Sequence, residues 1–99
     1  MARYDVYRNP HGAGYMLDVQ TDLLYGLNTR VVVPLLPEAE SPRPASRLNP
    51  IFEIQGQQTV MVTQFMAAVP VTELKKIAGN LGGHHDQISE ALDMLFKGF

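Results

Sequence analysis

The C-terminal stretch constrains this chain more than any other. Ile88, Ala91, Leu92, Leu95, Phe96 and Phe99 recur at i, i+3, i+4, i+7, i+8 and i+11, which is one apolar face of a helix. Such a face requires a second layer to pack against. Gly82-Gly83 precede the helix, Asp86 caps or charges its first turn, and Gly98 closes it. Asp93 and Lys97 add an acid-before-base pair at i,i+4, worth about 0.3–0.5 kcal/mol when exposed.

The preceding residues supply that layer as strands. Tyr4 and Val6 alternate with polar neighbours before the turn-forming Asn9-Pro10-His11-Gly12-Ala13-Gly14, and Tyr15, Leu17 and Val19 alternate with Met16, Asp18 and Gln20 after it. Thr21–Thr29 reads as a loop in which at least one of the adjacent Leu23 and Leu24 is exposed. Arg30–Leu36 is apolar on both faces, as in a central strand covered on two sides, with Pro34 expected at a bulge or near an edge. Pro37–Ser46 reads as a mobile loop. Ile51–Ile54 and Thr59–Met66 flank the turn Gln55–Gln58, and Ala67–Val71 continues as a short extended piece. Thr72–Asn80 reads as a short helix or an irregular return, since Leu74, Ile77 and Leu81 fit helical spacing. The order predicts an α+β fold, a small antiparallel β-barrel with a C-terminal α-helix, in one domain spanning residues 1–99.

A net charge of −2 argues against an autonomous nucleic-acid binder, and the absence of Cys excludes disulfides and thiolate metal sites. The N-terminus lacks the apolar core of a secretory signal, and Val31–Leu36 is far too short to cross a bilayer. A cytoplasmic protein without membrane contact is expected, and a low charged share suggests self-association.

No catalytic or metal constellation emerges, and no cofactor is implied. His84-His85-Asp86 is the densest group of ligand types, but adjacent residues do not share a helix face and no third ligand follows at i+4. His11, Asp18 and Asp22 form a conceivable acid/base set, yet carboxylates at a strand end more often serve turn hydrogen bonds. No Ser or Thr has a His and an acid to activate it.

In Asp18-Val19-Gln20-Thr21-Asp22-Leu23-Leu24, Thr29-Arg30-Val31-Val32-Val33-Pro34-Leu35, Met66-Ala67-Ala68-Val69-Pro70-Val71 and Leu95-Phe96-Lys97-Gly98-Phe99, the chain resembles the CcdB family of toxins, in the same order and from Tyr4 to Phe99. The resemblance implies an SH3-like barrel in a homodimer, with the C-terminal helices beside the twofold axis. It further implies a non-enzymatic poison that traps DNA gyrase with cleaved DNA through the gyrase A subunit. A CcdA-like antitoxin neutralises it through a disordered segment that folds on binding. Carried over by position, the gyrase-facing residues are Leu23, Leu24, Asp93, Phe96, Lys97, Gly98 and Phe99. Asp93 stands where the best-known pattern has Asn, and Lys97 where it has Trp, an aromatic anchor of the kind that carries interface energy. Two alternatives accompany this reading: an endoribonuclease toxin of the MazF family, which shares the barrel and dimer, and a relative that binds antitoxin but has lost gyrase.

Overall fold

In the computed structural model, which describes residues 2–99, the alternating N-terminal stretch forms β1 (Asp5–Arg8) and β2 (Tyr15–Asp18) around the Asn9–Gly14 turn. Gly14 has φ 84°, and a Cβ there would overlap the Leu35 carbonyl oxygen, so the turn and the neighbouring strand both require glycine. The other strands are β3 (Thr29–Pro37), β4 (Ile51–Ile54), β5 (Gln57–Met61), β6 (Ala67–Pro70) and β7 (Ile77–Asn80), and the helix α1 spans His85–Lys97.

All pairings are antiparallel, in the order β4-β5-β3-β2-β1-β7, with β6 also on β3. The sheet curls until Gln55, in the β4–β5 turn, donates through Nε2 to the Ala78 carbonyl of β7 at 3.5 Å. The outer strands β4 and β7 form no ladder with each other, so the fold is a curled half-barrel with one C-terminal helix.

β3 is the spine. β2 lies along one side, while β5 pairs with Leu35–Pro37 and β6 with Thr29–Val32 on the other. Pro34 falls where that second side changes partner. Its carbonyl accepts from Val62 N at 3.0 Å, so its donor-less nitrogen faces the same junction. It therefore sits mid-strand opposite a gap, and neither at a bulge nor at an edge.

Alternation sorts the side chains into two layers. Val6, Leu17, Val33, Leu35 and Met61 pack beneath α1 with its Ile88 and Ala91. On the reverse face Tyr7, Met16, Val32 and Leu74 form a smaller core, against which Val69 packs. The spine is thus buried on both faces at Val32, Val33 and Leu35, while Pro34 and Leu36 stay half-buried, so the double coverage expected from its apolar run holds only in part.

Three segments differ from expectation. Thr72–Lys76 continues the 3₁₀ turn Val71–Glu73 into an irregular stretch, within the expectation, but Ile77–Asn80 is β7, whose residues pair with Asp5–Tyr7; this edge strand owes its form to β1 rather than to its own pattern. The second hairpin turns on Gln55-Gly56 alone, with φ of 51° and 80°. Both positive angles suit a two-residue turn, and β5 accordingly starts at Gln57 and stops at Met61, followed by a 3₁₀ turn at Thr63–Phe65. The segment read as a mobile loop is fastened at both ends. Pro37 pairs with Thr59, and Ala45 exchanges bonds with Asn49, whose Nδ2 donates to the Met61 carbonyl at 3.0 Å.

Candidate functional site

The start of α1 is tied to the sheet. The Tyr4 hydroxyl lies 2.5 Å from His85 Nδ1, Arg47 donates to Glu90 at 2.6 Å, and Ile88 and Ala91 are fully buried. Leu92 still packs on the core, but the apolar stripe then leaves it. Leu95 is exposed, Phe96 is 68 % exposed and Phe99 75 %. The expectation of one continuous face buried on the sheet therefore holds for the first half of α1 only.

The free half is nonetheless well terminated. Gly98 adopts the left-handed conformation (φ 81°, ψ 8°), and its N–H reaches the carbonyls of Asp93 at 3.2 Å and Met94 at 3.1 Å. Lys97 lies in the last turn, where the helix dipole favours a cation, with Nζ 3.6 Å from Asp93 Oδ1. Asp86 lies in the first turn without acting as a cap. His84 lies against Phe52 with tilted rings, centres 5.1 Å apart, while His85 turns to Tyr4, so the two imidazoles diverge.

Leu23 and Leu24 lie on a separate element, a 3₁₀ turn at Asp22–Leu24 capped by the Thr21 hydroxyl, which accepts from Leu23 N at 3.3 Å. Leu23 is 87 % exposed, Leu24 46 %. No hydrogen bond or ion pair joins this turn to α1 among the described residues. Asp93, Phe96, Lys97, Gly98 and Phe99 thus form one cluster and the Leu pair another.

Beneath the turn lies a buried polar anchor. Arg30, 2 % exposed, donates through Nε to the enclosed Asp18 carboxylate at 2.8 Å and through an Nη to the Gln20 carbonyl at 3.3 Å, and stands 3.5 Å from Asp22. Gln20 clasps β3 through Thr29 and Val31. Burial pushes the Asp18 carboxyl above its ordinary range despite the guanidinium beside it. Asp18, Gln20 and Asp22 therefore hold the turn that displays Leu23 and Leu24. His11 does not meet Asp18 or Asp22; it pairs with Glu73 in the 3₁₀ turn at Val71–Glu73.

Sequence reasoning missed Tyr25, 85 % exposed, and half-exposed Leu27, which flank an open hollow of about 410 Å³ against Arg30 and Val71. The signal was present: Leu23-Leu24-Tyr25-Gly26-Leu27 is an apolar run in a loop too short to bury it.

A family profile described as "CcdB protein" matches residues 3–98. The chain belongs to the CcdB family. Two solved structures share the fold of this chain. An endoribonuclease in complex with its cognate antitoxin from Mycobacterial species has a TM-score of 0.79 at 18 % identity, covering 97 % of this chain and 94 % of that one. The Mycobacterium tuberculosis toxin MazF-mt6 has a TM-score of 0.77 at 16 % identity, covering 95 % and 96 %. At such identity the likeness is one of fold.

Proposed function

We propose that this CcdB-family chain is the toxin of a type II toxin–antitoxin pair, acting without catalysis. As a homodimer in the cytoplasm it binds the DNA gyrase A subunit and traps the gyrase–DNA complex, and a CcdA-like antitoxin neutralises it. The docking residues are Leu23, Leu24, Asp93, Phe96, Lys97, Gly98 and Phe99. One observation carries this reading: α1 is anchored through its first half and extends an ordered, capped second half whose Phe96 and Phe99 lie in solvent. Exposed aromatic side chains on a rigid helix end suit an interface whose energy concentrates in a few anchors. Pairing two helices about a twofold axis would cover part of that stripe and bring two helix ends side by side.

The test is titration of the purified chain into the gyrase A subunit by calorimetry, with a parallel assay of gyrase-mediated plasmid cleavage. Saturable binding and accumulation of cleaved DNA are expected. No binding at about 10 µM would remove gyrase from the assignment, and if a CcdA-like peptide still bound, the chain would be a relative that keeps its antitoxin only. The shared fold supports a second reading as an endoribonuclease toxin. Folds host unrelated chemistries, so this reading rests on analogy alone, and cleavage of a defined RNA by the purified chain decides it.

A further inference from the structure

A hollow of about 510 Å³ opens between the β1–β2 turn (Arg8 to His11) and the segment Thr72 to Lys76 that leads into β7. Its walls are set by backbone: Arg8 N donates to the Lys76 carbonyl at 2.9 Å. Of the eight Lys and Arg residues in a chain of net charge −2, Arg8, Lys75 and Lys76 line this one place. The one acid in the lining, Glu73, is engaged by His11 Nε2. Arg8 is held in position, since one Nη donates to Gln55 Oε1 at 2.8 Å and the guanidinium carbon stands 5.8 Å from the centre of the Tyr15 ring. Asn9 accepts from His11 N through Oδ1 at 2.9 Å, and its Nδ2 has no partner among the described residues.

The positively charged Arg8 on one wall, Lys75 and Lys76 on the other, and the Asn9 amide beside Arg8 match the charge and the several acceptor oxygens of a phosphate. The concavity has the size of a small-molecule site rather than a flat protein interface. We propose that this hollow binds the phosphate group of a small phosphorylated ligand, independently of the helix end and of gyrase. The overall acidity of the chain is no objection, because binding depends on local charge.

Titration of the ¹⁵N-labelled chain with inorganic pyrophosphate tests this. Saturable shifts confined to Arg8–His11 and Thr72–Lys76 are expected. Lys75→Gln with Lys76→Gln should weaken binding about tenfold, and Glu73→Gln, which removes the one carboxylate, should tighten it a few-fold. Arg43→Gln, in an exposed loop, should change nothing. Adenosine 5′-monophosphate binding as well as pyrophosphate assigns a phosphomonoester; a short single-stranded oligonucleotide doing so instead assigns a phosphodiester. Shifts that do not saturate, that extend equally to Arg3, Arg43 and Arg47, or that survive the double substitution overturn the site. A short oligoglutamate peptide outcompeting pyrophosphate overturns the phosphate assignment.

Discussion

With Asp18 enclosed and Arg30 2 % exposed, neither partner of their ion pair can turn to water. Arg30→Met would leave the buried Asp18 carboxylate without its cation, held only by the Gln20 N–H among the described residues, and should cost about 3–5 kcal/mol, read as a fall in the denaturant midpoint. Combining it with Asp18→Asn, which removes the carboxylate left unpaired, should recover part of that loss; a double variant no better than the single would mean that the arginine matters for packing alone. A neighbour on the same face gives a pH signature. Burial, then the Asp5 and Asp18 carboxylates, push the Tyr7 phenol from 10.0 up to about 12. Below pH 10 both states keep the proton and its contribution is fully present. Between the unfolded and folded values the unfolded chain releases a proton that the folded chain retains, so stability falls as pH rises. From pH 9 to 11 the parent should lose about 1 kcal/mol more than Tyr7→Phe, measured by urea melts. Equal losses would show that Tyr7 does not control alkaline unfolding.

At the scale of elements, α1 does two tasks with one stripe. Ile88 and Ala91 hold it to the sheet, while Phe96 and Phe99 carry the proposed contact with gyrase. Lys97→Trp should therefore strengthen gyrase binding, because an aromatic anchor replaces a cation whose full desolvation would be costly. Gly98→Glu should weaken it, since a carboxylate opposes the negative helix end and a side chain must accept φ 81°. Calorimetry against the gyrase A subunit, after a melting curve shows each variant folded, checks both; two variants that bind like the parent would remove the helix end from the interface. The stripe itself was fully legible in the sequence, as were the capping glycine and the first hairpin, because local periodicity encodes them. That the stripe is half unburied was not legible, since it depends on where the sheet ends beneath it. β7 was hidden for a related reason: Leu74, Ile77 and Leu81 imitate helical spacing, while the true determinant is the open edge of β1, distant in sequence. The buried Arg30–Asp18 pair was concealed because charged residues at a strand boundary ordinarily belong to solvent.

For the whole molecule, the half-barrel leaves apolar surface that a second copy would cover. Sedimentation equilibrium at micromolar concentration should give twice the chain mass of 11.0 kDa, and a monomer throughout would remove the twofold arrangement of the helix ends. The fastened termini of the segment after β3 localise its freedom. Insertion of a few Gly and Ser between Ser41 and Pro44, where side chains are largely exposed and Ala45–Asn49 lies beyond, should shift the melting temperature only slightly. A large fall would show that the segment is packed. The division of α1 into an anchored and a free half also has a genetic consequence. Because the fold draws on Ile88 and Ala91 while Phe96 to Phe99 are exposed, substitutions at these last positions should accumulate without loss of the protein. Among bacteria that survive forced synthesis of this chain, escape alleles at these last positions should encode soluble, full-length product at undiminished levels. Alleles at Ile88 or Arg30 should instead deplete it. On the proposed docking role of the tip, natural lineages would revise what the toxin recognises on the same terms, one tip residue at a time, over an unchanged scaffold.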